Sequence, residues 1–267
     1  MDSLHHGFRT PAIRSAVALD DAIRAVAVET ENGLSWESLS ATATIVVTPN
    51  GAPIRTIVTG RRPIVTGTYA SRKAGRPLPY ESMLERAFFM HSEVDPDVVD
   101  YRAQPFRLEF IIAGVKRTYI VDCLRLLADN SIEIVEIKRD RRALRDPHYA
   151  VKLEAVRIIC ERVGWRFRIV FASELLDPEY VYENILEVQS CRLTEFDRSD
   201  VFIVTEALLR RSPLTMGELG DVLGDRLLGI AKLKAMAVKR IVRIDLTRPL
   251  FTETSVELVS DRLENVQ

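Results

Sequence analysis

The spacing of apolar positions changes period several times along the chain, and each change marks an element. "YESMLERAFFMHSE" runs at helical spacing, with Leu84, Phe88 and His91 on one face and acids at its start, as suits a helix N-terminus. The period then shortens. "PFRLEFII" and "VKRTYIVDCLRLL" read as two strands joined by a turn at Ala113-Gly114, "ADNS" reads as a turn, and "IEIVEIK" as the next strand. Asp146-Pro147 opens the amphipathic "HYAVKLEAVRIICERVGW", with Ala150, Leu153, Val156 and Ile159 or Cys160 turned inward and proline at the first helical position. "RFRIVFAS" is a further strand, followed by a helix from about Pro178 to Gln189. Helix, three strands, helix, strand, helix describes an α/β unit, a mixed sheet with helices on its faces.

The flanks are organised differently. Residues 1–60 are the least legible. "LDDAIRAVAVE" suggests a short helix, and "ATIVVTPNGAPIRTIVTG" a hairpin around Pro49-Asn50-Gly51. Residues 61–195 form the α/β unit. Around Arg192 to Asp200 the composition turns polar, which places a domain boundary there. Residues 196–267 then read as three helices in quick succession ("DVFIVTEALLRRSP", "LTMGELGDVLG", "DRLLGIAKLKAMAVKR") and two short strands, "IVRIDL" and "RPLFTE". That order predicts a winged helix-turn-helix. Arg226 to Arg243 holds six basic residues and no acid, which suits either a DNA-facing helix or a protein-docking module.

Composition narrows the function classes. With 47% hydrophobic and 28% charged residues the chain has the balance of a soluble globular protein. A net charge of −1 supplies no global pull toward nucleic acid or an acidic membrane, so any polyanion must be held by local patches. One such patch is the stretch Arg55 to Arg76, with six basic residues and no acid; it reads as a solvated loop or as a phosphate-contacting arm. No apolar run is long enough for a membrane span, and "MDSLHHGFRTPAIRS" carries no export-signal core. The three cysteines are far apart in sequence, which argues against a zinc site or disulfide framework and for a cytoplasmic setting.

The chemistry concentrates in "SIEIVEIKRDRRALRDP". Glu136 and Lys138 are two apart in an apolar strand and therefore share a face. Asp122 is equally out of place in "TYIVDCLRLL". If the intervening hairpin centres on Asp129 or Asn130, Asp122 faces Glu136 or Lys138; a turn centred between those two residues puts it on the other face. Burying such charges costs several kcal/mol per ion unless they are compensated. One compensation is a structural ion pair. The other is a divalent metal between carboxylates, for which Mg2+ with two carboxylates, a backbone carbonyl and water suffices, with the lysine orienting or helping to deprotonate the attacking water. Glu81 and Glu85, four apart on the preceding helix, offer a third acid or are ordinary residues of a helix N-terminus.

An aspartate, then E-x-K about a dozen residues later, with an acid on a preceding helix, resembles the PD-(D/E)xK restriction-endonuclease-like nucleases. More closely, the chain resembles the TnsA-like endonuclease subunits of heteromeric transposases. The likeness rests on "GTYASRKAGRPLPYESMLE", on "YRAQPF", similar to the family's arginine- and glutamine-bearing strand, on "YIVDCLRL" and "IVEIK", and on "FASELLDPEYVYENI". It spans Gly67 to Leu193, with a looser match of the C-terminal part to the family's second domain; residues 1–60 do not resemble the family's beginning. The resemblance implies a restriction-endonuclease-like fold. It makes Glu85 the helix acid, Asp122 the central metal ligand, Lys138 the catalytic lysine and Gln104 a site-lining glutamine. Glu136 stands where members carry Glu or Gln, as a ligand or as support for one, and the carbonyl of Ile137 is a plausible further ligand. Glu81 returns to a structural role. Phosphate contacts are assigned to Arg72, Lys73, Arg76, Arg139, Arg141, Arg142 and Lys152, with Arg145 extending the same run.

The resemblance further implies a Mg2+-dependent (Mn2+ as substitute) endodeoxyribonuclease that hydrolyses a phosphodiester at the 5′ side of transposon ends. Its implied partners are transposon-end DNA, a DDE-type TnsB-like transposase subunit and, through the C-terminal domain, an AAA+ TnsC-like regulator, with no membrane. The alternatives are a restriction or repair nuclease of the same fold working alone, and a DNA-binding adaptor without catalysis.

Overall fold

In the computed structural model the described residues are 43–48, 52–54, 65–112 and 114–259. The helix expected at "LDDAIRAVAVE", the turn at Pro49-Asn50-Gly51 and Ala113 lie outside them. In chain order the elements are β1 (Thr44–Val47), β2 (Gly67–Ala70), β3 (Pro77–Tyr80), α1 (Met83–Val94), β4 (Val98–Ala103), β5 (Phe106–Ile112), β6 (Val115–Ile120), β7 (Cys123–Leu127) and β8 (Ile132–Lys138). They continue with α2 (Pro147–Arg162), β9 (Arg166–Phe171), α3 (Ala172–Leu176), α4 (Glu179–Ser190) and α5 (Arg198–Arg210). The last are β10 (Leu214–Thr215), α6 (Met216–Val222), α7 (Arg226–Val238), β11 (Val242–Ile244) and β12 (Ser255–Leu258).

Local chemistry starts the helices where the sequence suggests. Ser82 caps α1, its Oγ accepting from the Glu85 N–H at 3.1 Å. Asp146 caps α2, accepting from the His148 N–H at 2.9 Å, with Pro147 in the first turn, where a missing N–H costs nothing. Asp197 and Asp200 cap α5 reciprocally. Within α2, Leu153, Val156, Ile159 and Cys160 are buried as the spacing predicts, whereas Ala150 is exposed, one turn too early to reach the sheet.

A four-stranded sheet of order β4-β7-β8-β9 forms the centre, antiparallel except for the parallel β8–β9 pair that brackets α2. Alternation along β8 sends Ile132 and Ile134 into a core with α2, β5 and β6, and sends Val135 and Ile137 into a second core with α1 and α4. A separate antiparallel sheet, β1-β5-β6, completes the first core. The result is a mixed α/β fold with several sheets and helices, compatible with the restriction-endonuclease-like architecture.

Two expectations fail here. "VKRTYIVDCLRLL" is not one strand. β6 pairs with β5, the chain bends at Val121-Asp122, and β7 enters the central sheet. The bend is held by the Gln104 N–H donating to the Asp122 carbonyl at 3.1 Å. "RPLFTE" is not a strand either; the second strand is Ser255–Leu258. Pro249 carries no N–H for a ladder, and the Leu250 N–H is taken by the Asn184 side chain.

Helices α5, α6 and α7 and the small sheet β10-β12-β11 enclose a third core. This C-terminal unit is fastened to the α/β unit. Buried Asn184 of α4 donates to the carbonyls of Leu246 (3.0 Å) and Arg248 (2.7 Å) and accepts from Leu250 at 3.2 Å. Arg240 Nε donates to the Pro96 carbonyl at 2.6 Å, Arg243 pairs with Asp97 at 2.7 Å, and Lys234 pairs with Glu187. Val238 at the end of α7 is fully buried in the second core.

Replacing Asn184 by alanine strands three backbone groups at this junction. The expected loss is about 1–3 kcal/mol of unfolding free energy, measured by denaturant titration of the full chain.

Candidate active site

The β7–β8 hairpin decides whether the charged residues meet. Cys123 pairs with Val135, Leu124 with Ile134, Arg125 with Glu133 and Leu126 with Ile132, so the register centres on Asp129. The turn is set locally: Asn130 adopts a left-handed φ of 63°, and Asp129 Oδ1 accepts from the Ser131 N–H at 2.9 Å. One step beyond the last pair, Asp122 comes opposite Glu136, on the face that Lys138 shares. Because β7 ends at the Asp122 bend, the Ile137 N–H donates to Asp122 Oδ2 at 2.9 Å. Arg125 and Glu133 point to the opposite face, where they pair with each other and Arg125 lies over the Phe88 ring.

Glu136 is buried, at 3% exposure. Its Oε2 accepts from the Tyr119 hydroxyl at 2.5 Å. Its Oε1 accepts from both the Tyr149 hydroxyl and the Lys138 ammonium. Lys138 Nζ also stands 4.0 Å from Asp122 Oδ2 and 5.5 Å from the Tyr149 ring centroid. The tyrosines come from β6 and α2 and escape sequence reading. Each sits in a periodic stretch as an ordinary apolar position, and the packing of α2 and the β5–β6 sheet on the same face brings their hydroxyls to Glu136.

Glu85 approaches from the N-terminus of α1, its oxygens accepting from the Glu81 N–H at 2.8 Å and the Ser82 hydroxyl at 3.1 Å. Glu81 itself contributes its backbone N–H to that arrangement. Gln104 lies at the end of β4 with φ 45°, buried at 2% exposure, and its Oε1 has no hydrogen-bond partner among the described residues. A positive φ and an orphaned buried acceptor beside the Asp122 bend mark a position held for more than packing.

The electrostatics show an excess of buried negative charge. Burial and then the Glu136 carboxylate push Asp122 up to about 8, against the opposing Lys138 ammonium and Ile137 N–H, with Glu85 adding to the rise. Burial likewise raises Glu85, with Lys138 among the charges that offset it. Burial opposes the charge on Lys138, but the Glu136 and Asp122 carboxylates outweigh it and push its pKa up, so it is held as an ammonium.

Such a site favours a cation. Among the described residues no three carboxylate, imidazole or thiolate side chains converge tightly enough to enclose one. The available donors are the half-buried Asp122, whose Oδ1 has no partner among the described residues, the half-buried Glu85, each of whose oxygens accepts one hydrogen bond and keeps a further acceptor position, and the Ile137 carbonyl. These oxygens fit a Mg2+ that keeps several waters.

The basic residues divide. Arg139, Arg141 and Arg142 are exposed immediately after β8, followed by exposed Arg145; Arg141 lies over Phe171. Lys152 is half-buried with Nζ 4.9 Å from the Tyr149 centroid. Lys73 departs from the expected phosphate contact. It is buried, and its ammonium donates to the carbonyls of Ser92 (2.9 Å) and Asp95 at the end of α1. Arg72 is exposed, its backbone N–H donating to buried Glu93 at 2.6 Å, and Arg76 is half-buried and engaged. Five of the six basic residues between Arg226 and Arg243 are engaged internally: Arg226 pairs with Asp221, Lys232 with Asp200 and Lys234 with Glu187, and past the end of α7 Arg240 and Arg243 hold Pro96 and Asp97.

Residues 95–171 match the family model of the TnsA-like endonuclease N-terminal domain. The matched stretch, well under half of the chain, contains Gln104, Asp122, Glu136 and Lys138 and excludes Glu85. It supports a nuclease and shows the resemblance read from the sequence. No curated protein matches the chain. No helix among the described residues is long and apolar enough to cross a membrane.

A carboxyl raised to about 8 in the fold, against an unfolded value of about 3.9, binds more protons folded than unfolded across that window. Its contribution is favourable below about pH 4 and is lost as pH rises through 8. In chelator-treated protein, Asp122→Asn removes that penalty. Its stability relative to wild type is expected to increase from pH 5 to pH 8, measured by denaturant unfolding at the two values.

Proposed function

We propose that this protein is a metal-dependent DNA endonuclease that serves as the 5′-cleaving subunit of a heteromeric transposase. The observation that carries the reading is the convergence of Asp122, Glu136 and Lys138 on one sheet face within the stretch that matches the endonuclease domain. Asp122, Glu85 and the Ile137 carbonyl would hold Mg2+. When bound, the metal polarises the phosphodiester and offsets charge as the bond breaks. Lys138, held beside Asp122 by Glu136, places a fixed positive charge where the phosphoryl oxygens gain negative charge. The backbone of the DNA runs over Arg139, Arg142 and Arg145, which are exposed and make no ion pair among the described residues.

The C-terminal three helices and small sheet are read as a winged helix-turn-helix that docks protein and does not read DNA. The internal pairing of Arg226, Lys232, Lys234 and Arg243 supports this, since those charges are already neutralised. An AAA+ regulator is the proposed occupant of that unit, and a DDE-type transposase cuts and joins the opposite strands.

Cleavage of transposon-end DNA in the presence of Mg2+ and the partner transposase tests the reading. Asp122→Ala and Lys138→Ala are each expected to lose at least about 100-fold in rate. An Asp122→Ala protein that cuts as well as wild type sinks the assignment, and efficient cutting without the transposase favours a stand-alone nuclease. For DNA affinity, Arg142→Ala is expected to reduce the slope of log K against log salt by about 0.9, read by fluorescence anisotropy over a salt series.

A further inference from the structure

Glu136 and Asp122 face each other, yet their oxygens are used very differently. Glu136 is buried, and both of its oxygens are engaged by protein donors: Tyr119 on Oε2, Tyr149 and Lys138 on Oε1. Asp122 is more open, gives one oxygen to a single backbone N–H, and keeps the other unpartnered among the described residues. An ionised carboxylate offers about four acceptor positions; three on Glu136 are filled by Tyr119, Tyr149 and Lys138, and the side chain that carries the fourth is buried. The donors themselves are firmly placed. Tyr119 is buried in the first core with its ring edge-on to Phe167 at 6.5 Å, and Tyr149 is fixed on α2 between Lys138 and Lys152.

We propose that Tyr119 and Tyr149 act as a clamp that withholds Glu136 from the metal and turns it into the anchor of Lys138. They are positioning residues acting through Glu136, and the metal rests on Asp122 and Glu85. This rests on the nuclease reading above and deepens it. The clamp ties β6, α2 and β8 to one carboxylate, so the lysine's place depends on all three elements. An amide serves nearly as well as the carboxylate. Its Oε1 accepts from Lys138 and Tyr149, and its Nε2–H donates to the Tyr119 hydroxyl oxygen.

The test separates metal binding from catalysis in the full chain. Mn2+ binding is measured by calorimetry and single-turnover DNA cleavage by product formation, with folding checked by thermal unfolding. Asp122→Asn is expected to weaken Mn2+ at least about tenfold, whereas Glu136→Gln leaves it within about twofold. Tyr119→Phe with Tyr149→Phe is expected to slow cleavage about tenfold or more without weakening Mn2+, because Lys138 loses its fixed position. If the double variant does not fold, Tyr149→Phe alone carries the same comparison. A tenfold loss of Mn2+ affinity in Glu136→Gln overturns the clamp while leaving the nuclease reading intact. So does unchanged cleavage in the tyrosine variant. Wild type that binds no Mn2+ overturns both.

Discussion

The antiparallel pairing of β7 with β8 holds Cys123 opposite Val135, and one step further it leaves Asp122 facing Glu136 and Lys138. The candidate chemistry depends on that register. A slip of β8 by one residue would send Glu136 and Lys138 into the core beside Val170, and would bring Glu133 to the face of α2, away from Arg125. Two things guard it. The Asp129-Asn130 turn has a single residue at its centre, closed by the Ser131 hydrogen bonds and a left-handed Asn130. The other guard is the bend at Asp122, where the chain leaves one sheet for another and gives its carboxylate to the Ile137 N–H, which the shortened β7 no longer satisfies.

β8 carries buried charge on both of its faces, and the two sets differ in what surrounds them. Glu133 meets Arg125 directly across the ladder, with Asp95 3.8 Å from the guanidinium and Phe88 beneath it. That is the structural ion pair that spacing alone also allowed for Glu136 and Lys138. On the other face Asp122 adds a second acid, Glu85 reaches in from α1, Gln104 leaves an oxygen unpaired, and the carboxylates outnumber the single lysine. A closed pair offsets much of its own desolvation. An unbalanced cluster at a sheet end is a candidate functional site.

The C-terminal unit shows the opposite outcome for a charge pattern. Six basic residues without an acid between Arg226 and Arg243 suit a DNA-facing helix as well as a docking module. The fold answers most of these charges from elsewhere in the chain, from Asp200 and Asp221 within the unit and from Glu187, Pro96 and Asp97 of the α/β unit. Lys73 follows the same logic. A basic stretch suggests a phosphate arm, but folding buries the ammonium against the last carbonyls of α1, where it neutralises the helix end. Runs of like charge report composition; their partners are distant in sequence.

Periodicity and end signals were enough to place α1, α2, β8 and the three C-terminal helices, because those elements are set by local alternation and by caps such as Ser82, Asp146 and Asp197. The sequence also carried the odd charges Asp122, Glu136 and Lys138, and the condition under which they meet. It did not carry the break of "VKRTYIVDCLRLL" into two strands of different sheets, since the hydrophobic pattern runs on through the bend and contacts from distant segments, Gln104 and Ile137 with Asp122, hold it. Nor did it carry Tyr119 and Tyr149. Their hydroxyls find Glu136 because α2 and the β5–β6 sheet cover the same face of β8, and a buried carboxylate must take its donors from whatever covers it. What is local, period and cap, is written in neighbouring residues; what compensates a buried charge comes from across the fold, and only tertiary structure decides it.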